Sequence, residues 1–308
     1  MSGTRKSETF RRTLRGKGPA KMKLRLSKPN VGDIMTVARS PVVTASLTTS
    51  IYDIVHIMSN EGFRRIPIVN PGTSKLQGIV TSRDIVDYFG GGEKFLIVKR
   101  KFGGAFFKAI NEPVKSILRA NPPFAMKTAT LADAIRIMKE SSVGGLPIVN
   151  DSGRVEAIIT ERDLLRIFKA KIALGTVSDL MTSAVVTAPA ETSILEAERM
   201  MVEKSFRRLP IVEEGRVAGL VTAMDIVRFF GSGDCFSHLR SGTILQVLET
   251  PVIDIGVKKL ITTRPSTDLA EAAEVMTSKN IGSLLVIDGR KLKGIITERD
   301  FLKLVKEW

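Results

Sequence analysis

Four near-copies of one seven-residue string constrain this chain more than any other feature. "GIVTSRD" at 78–84, "AIITERD" at 157–163, "GLVTAMD" at 219–225 and "GIITERD" at 294–300 each place Thr-x-x-Asp straight after a short apolar run. Helix-like sequence follows each time: "IVDYF", "LLRIF", "IVRFF" and "FLKLV". Such a step reads as a strand entering a helix, with threonine as N-cap and the acid at the third helical position, as in a capping box. Arginine asks for a second reading. Arg83, Arg162 and Arg299 stand just before the aspartate, in a first helical turn where the macrodipole disfavours a cation. An anion bound at the helix N-terminus would account for them. So would local pairing with Glu161 or Glu298, although Arg83 has only Ser82 in that place. On this feature alone both accounts stand.

A second shared block lies ahead of each string: "RRIPIVN" at 64–70, "GGLPIVN" at 144–150, "RRLPIVE" at 207–213 and "GSLLVID" at 282–288. Further upstream are the helix patterns "SIYDIVHIM", "TLADAIRIM", "SILEAERMM" and "DLAEAAEVM", in which Met58, Met138, Met201 and Met276 are expected in the core. Each unit therefore reads strand, helix, strand, strand, helix, an α/β repeat of about 60 residues. The units double at a second level. "FRRIPIV" in the first matches "FRRLPIV" in the third, "DYFGGGEKF" at 87–95 matches "RFFGSGDCF" at 228–236, and the second and fourth share "ITERD". The reading is four repeats at 31–90, 113–169, 175–230 and 247–308, with linkers at 91–112 and 231–246, making two two-repeat modules. A single unit this small has difficulty burying its own apolar faces, so the repeats are expected to pair side by side.

Composition narrows the chemistry. The lone Cys235 excludes an internal disulfide, and with His56 and His238 as the only histidines no Cys/His metal cluster can be written. His56, inside an amphipathic pattern, is expected to be partly buried rather than a ligand. No apolar run approaches the roughly 18–20 residues of a membrane span, so a cytoplasmic protein without membrane contact is expected. Net charge is +15, and residues 1–30 supply +9 of it, ten lysines and arginines standing against Glu8 alone. This basic arm suits a solvated tail, and equally nucleic acid, acidic protein or anionic lipid. Its "KMKLRLS" also fits a strand laid on the first module.

The ordered set of threonine, acidic amphipathic helix, h-P-h-V strand, G-h-h-T-x-x-D and terminal helix resembles the CBS domain, named after cystathionine β-synthase. Two in tandem resemble a Bateman module. The resemblance covers the chain from about residue 31 to its end, and it implies βαββα repeats paired sheet to sheet, with two clefts per module for AMP, ADP, ATP or S-adenosylmethionine. Carried onto this sequence, it gives Asp84, Asp163, Asp225 and Asp300 to the ribose hydroxyls and Thr81, Thr160, Thr222 and Thr297 to ribose or phosphate. Ile79, Val80, Ile158, Ile159, Leu220, Val221, Ile295 and Ile296 would flank adenine, whose edge is read near Thr44, Thr187 and Thr262. Phosphate falls to Arg83, Arg162 and Arg299, and to Arg64, Arg65, Arg207 and Arg208, placed like basic residues in the γ subunit of AMP-activated protein kinase.

Departures from the pattern predict unequal sites. The third repeat lacks the arginine, Leu285 replaces the proline of the fourth, and Phe124 stands where the first has Thr44. In the first module the better phosphate site is expected beside Asp84, where Arg64, Arg65 and Arg83 can gather. With no stretch left over for a catalytic domain, the expected function is a non-catalytic, energy-sensing regulator that binds an adenosine ligand and transmits its presence to a partner. The alternatives are a ligand-responsive nucleic-acid-binding protein using the arm, or a regulatory subunit of a kinase or metabolic enzyme. The two modules would form a disc, within one chain or across a homodimer.

Overall fold

In the computed structural model, which describes residues 32–172 and 175–305, four three-stranded sheets repeat one plan. The basic arm lies outside the described residues. In the second repeat, strand Ala125–Met126 is followed by helix Leu131–Glu140, strands Gly145–Val149 and Val155–Thr160, and helix Glu161–Phe168. The third runs through Ala188–Pro189, Ile194–Glu203, Arg208–Glu213, Arg216–Thr222 and Ala223–Gly231. The fourth runs through Thr262–Thr263, Leu269–Ser278, Ser283–Asp288, Lys291–Thr297 and Glu298–Phe301. The first has helix Ile51–Glu61, strands Arg65–Val69 and Leu76–Thr81, and helix Ser82–Val86 prolonged by a π-helical turn at Asp87–Gly91. Its opening strand is reduced to a parallel bridge between Ala45 and Ile68.

Local chemistry sets these boundaries. Ser50, Thr130 and Ser193 cap the opening helices, each accepting from the backbone N–H of an acid three residues on: Asp53, Asp133 and Glu196. Met58, Met138, Met201 and Met276 are buried, as the helical period requires. All four hairpins are antiparallel and shift register at the same place, between Ile68 and Val69, Ile148 and Val149, Ile211 and Val212, and Val286 and Ile287.

Helices cover only one face of each sheet, and the partner repeat covers the other. The segment leading into each repeat crosses to its partner's outer strand. Arg39 bridges Ile158, Arg119 bridges Ile79, Thr182 bridges Ile295 and Val257 bridges Leu220. The two modules then meet through their helices, so the buried apolar side chains form two clusters. One joins the first repeat to the third, the other the second to the fourth. A ring of four repeats is thus complete within one chain.

The matched "YFGGGEKF" and "FFGSGDCF" segments make the module contact. Phe89 stacks on Phe230 with ring centroids 4.0 Å apart. The flanking glycines let helices touch: a Cβ on Gly91 would stand 2.7 Å from the Glu198 carbonyl oxygen, and one on Gly231 2.7 Å from that of Val55. The segments read as linkers also build the core. Helices Phe95–Phe102 and Phe106–Ile110 bury Phe95, Val98 and Phe106, while Cys235 is buried and Phe236 packs edge-on to Phe106 at 5.7 Å. His56, expected to be partly buried, is exposed and lies 3.1 Å from the Gly231 carbonyl oxygen. No metal-binding cluster and no helix long and apolar enough to cross a membrane occur among the described residues.

Glu198, at the same contact, is 0% exposed and its carboxyl oxygens have no hydrogen-bond partner among the described residues. Burial, reinforced by the nearby Asp87 carboxylate, pushes its pKa well above the carboxylate range. The unfolded chain loses this proton near pH ~4.3 while the folded chain keeps it, so stability falls as pH rises past that value. Glu198→Leu should therefore unfold later than wild type in urea at pH 7, by about 1–3 kcal/mol. The gain should shrink towards pH 4, and a variant no more stable than wild type at pH 7 would contradict this account.

Candidate adenosine-ligand site

All four Thr-x-x-Asp strings form capping boxes. The threonine hydroxyl donates to Oδ2 of its aspartate at 2.6 Å in Thr81–Asp84 and Thr160–Asp163, 2.7 Å in Thr222–Asp225 and 2.8 Å in Thr297–Asp300. The same Oδ2 accepts from the threonine N–H. The other oxygen, Oδ1, holds a cation every time: Lys94 on Asp84, Arg39 on Asp163 at 2.7 Å, Arg228 on Asp225 at 2.8 Å and Lys303 on Asp300 at 2.6 Å. The capping reading thus holds in full, and it uses one oxygen of each carboxylate. Arg39, Arg228 and Lys303 are 43%, 52% and 58% exposed, so each can swing into solvent, but the carboxylates they leave are only 3%, 6% and 7% exposed and need another donor in their place. Burial raises the pKa of Asp225, opposed by its bonds from Thr222 and by Arg228.

Strand alternation corrects half of the adenine-flanking set. Val80, Ile159, Val221 and Ile296 are 0% exposed and belong to the two apolar clusters, because successive strand side chains face opposite ways. Ile158, Leu220 and Ile295 face the partner repeat and stay half-buried, whereas Ile79 is buried. Thr44 and Thr187 are half-buried. Thr262 is exposed, on the rim of a hollow formed with Glu271 and Asp288 on the fourth repeat.

One cleft, of about 140 Å³, gathers the expected residue types. Pro41, Val42 and Val43 of the first repeat face Ile158 and Thr160 of the second, with Arg39, Arg64, Arg65 and Arg162 around them. This corrects the expectation for the first module. Arg64 and Arg65 collect on the Thr160–Asp163 side rather than beside Asp84, because the strand they begin pairs face to face with the second repeat. Arg83 points away, donating to the Ser205 carbonyl of the third repeat at 2.7 Å.

Six of the seven arginines expected at phosphates, all but Arg83, converge where the repeats meet, around Glu161 and Glu298, which are 3% and 2% exposed. Arg162 Nε donates to Glu298 Oε1 at 2.6 Å and Arg64 Nη1 to Oε2 at 2.8 Å. Arg299 Nε donates to Glu161 Oε1 at 2.7 Å, and Arg207 Nη2 lies 3.7 Å from Oε2. Each of these pairs crosses from one module to the other. The local Arg162–Glu161 and Arg299–Glu298 pairing considered from the sequence is therefore exchanged between modules. Burial opposes ionisation of both glutamates, but the arginines outweigh it: Arg64 and Arg162 hold Glu298 down to about 2, and Arg207 and Arg299 also lower Glu161. Arg65 and Arg208 serve as pins inside each module, donating to the carbonyl oxygens of Gly144 and Gly282. Burial and the neighbouring arginines lower them to about 10 and about 9, and lower Arg207 as well. For Arg83 burial is the main cause of a lowered pKa, with Arg299 adding to it.

The family model that matches this chain is that of the CBS domain, at residues 31–91, 114–170, 177–232 and 252–307. The chain belongs to the CBS domain family. It is 37% identical over 273 residues to protein MJ1225 of Methanocaldococcus jannaschii, covering 88% of this chain and 98% of that one. The crystal structure of MJ1225, presented as a proposed archaeal homologue of γ-AMPK, superposes with a TM-score of 0.84. A 33.4 kDa protein of the ribosomal RNA operon of Thermofilum pendens is 30% identical over 262 residues, 85% of this chain and 87% of its own.

Sequence reasoning about these CBS repeats missed Glu161, Glu298 and the glycines opposite the FRR arginines. A signal for the glycines was present, because "FRR" in the odd repeats alternates with "GG" or "GS" in the even ones. A Cβ on Gly145 would stand 2.7 Å from the Ile159 carbonyl oxygen and collide with the Arg65 guanidinium. Gly145→Ala should cost about 1–3 kcal/mol in denaturant melts. Gly72→Ala, whose nearest neighbour would be Asn70 Oδ1 at 3.6 Å, serves as the near-neutral comparison. Equal losses in the two variants would show that the Arg65 seat is not tightly packed.

Proposed function

We propose that this CBS-repeat protein is a non-catalytic sensor of an adenosine ligand, with its first site in the cleft between the first and second repeats. The observation that carries the reading is the meeting, in that cleft, of an apolar wall, cations and the threonine that holds Asp163 just behind it. Val42, Val43 and Ile158 supply the wall, Thr160 leads to Asp163, and Arg64 and Arg162 stand at the inner end. In this reading adenine lies against the apolar wall. The ribose hydroxyls take Asp163 Oδ1 as Arg39 moves out, while Oδ2 stays on the cap. Phosphates or another charged substituent point to the arginines.

Charge favours an anion there. Six arginines surround two glutamates, and cations confined in a low-dielectric interior attract counter-charge strongly. AMP, ADP and ATP match this end better than the cationic sulfonium of S-adenosylmethionine. The likeness to MJ1225 over nearly its whole length supports the same reading. Thr81 with Asp84, Thr222 with Asp225 and Thr297 with Asp300 are the corresponding positions of the other clefts, with Ile79, Leu220 and Ile295 beside them. A ligand that spans two repeats favours one geometry of the pair, and a partner sensitive to that geometry would be regulated.

Calorimetric titration of AMP into wild type, Asp163→Ala and Asp84→Ala tests the assignment. Loss of the ribose bonds at Asp163 should weaken binding by about 1–3 kcal/mol, roughly five- to 150-fold. Loss of the cap should lower stability of either variant by only about 1 kcal/mol. Unchanged AMP affinity in Asp163→Ala, with stability reduced, would return the string to a purely structural role.

A further inference from the structure

Glu298 belongs to the second module, yet it lines the cleft of the first. It accepts from Arg64 and Arg162, the two arginines at the inner end of that cleft, at 2.8 and 2.6 Å. Glu161, from inside the cleft, accepts in return from Arg299 of the fourth repeat at 2.7 Å. The exchange is reciprocal. Each glutamate follows the threonine of its own capping box, and its partner, Arg162 for Glu298 and Arg299 for Glu161, precedes the aspartate of the other module's box. Only the even repeats can do this, since Ser82 and Ala223 occupy the position in the odd ones. Second contacts fix the arms: Arg162 Nη1 donates to Asn280 Oδ1 at 2.7 Å and Arg299 Nη2 to the Ser142 carbonyl at 3.1 Å.

We infer that Glu298 and Glu161 are built-in anions that occupy the phosphate-facing arginines and couple the ligand clefts of the two modules. A carboxylate and a phosphate oxygen compete for the same guanidinium N–H groups. An anion entering the first cleft therefore draws Arg64 and Arg162 from Glu298. The released carboxylate is the first residue of the helix whose cap is Thr297–Asp300, so the fourth repeat's ribose position feels the first cleft fill. Linkage makes the effect mutual, the fourth repeat's site acting back through Arg299 and Glu161. The glutamates also grade ligands by charge, because a more highly charged anion displaces a carboxylate more readily.

The inference rests on the cleft reading above for the place of the anion, but not on adenine. The test uses the full chain at low salt, titrated by calorimetry with pyrophosphate, AMP and adenosine, in wild type, Glu298→Gln and Glu298→Asp. Removing the competing charge should tighten pyrophosphate and AMP about fivefold or more, while adenosine changes less than twofold. Glu298→Asp keeps the charge but shortens its reach, and should fall between the two, so it decides the matter if Glu298→Gln does not fold. Anion affinity unchanged or weakened in the folded variants, or no pyrophosphate binding by any form, would overturn the inference. Pyrophosphate tightening with no response to AMP or adenosine beyond the bare anion would instead sink the nucleotide reading and leave the clamp standing.

Discussion

A three-stranded sheet with helices on one side leaves its other side bare, and the rest of this structure follows from covering it. A unit of about 60 residues buries too little of its own surface to be more than marginally stable alone. Each repeat therefore lends its leading segment to the partner's outer strand, at Ile79, Ile158, Leu220 and Ile295. Pairing sheets in this way turns the helices outward, and their apolar sides then need a second partner. The other module supplies it through the Phe89–Phe230 stack and the glycine contacts beside it. Two kinds of interface alternating round four units close a ring.

Closing the ring brings the starts of four helices and four inner strands towards one centre. Helix N-termini and arginines share a sign, and their assembly is tolerated because Glu161 and Glu298 are buried among them. The arrangement keeps the capping boxes and the ion pairs on separate atoms. Each aspartate spends Oδ2 on its cap and leaves Oδ1 to a cation. In the proposed reading, structural and ligand-facing roles can therefore coexist in one residue.

Much of this was legible in the residues. Fourfold recurrence fixed the order of elements, because period and punctuation are local properties, and the methionine and proline positions fell in the core and the inner strands as their patterns require. What escaped was relational. Nothing local tells that Val80 points inward while Ile158 faces the cleft, since both belong to apolar runs and only the sheet pairing assigns the faces. Arg162 sits next to Glu161 in the chain, yet its partner is Glu298, 136 residues away. The folded helices within 91–112 were hidden because their glycine-rich start and basic run resemble a connector.

The two halves of the module contact are made of different materials. The first and third repeats meet through stacked phenylalanines, and of the arginine ties to the opposite helix turn they have that of Arg83, the equivalent place in the third repeat holding the buried Met224. The second and fourth repeats meet with two such ties and two exchanged glutamates. Apolar contact weakens on cooling, whereas ion pairs whose carboxylates are buried are screened little by salt. Both contacts rest on an apolar cluster, and the second is keyed as well: a guanidinium fits its carboxylate and its carbonyl at fixed angles, so the arginines set how the second and fourth repeats seat on one another.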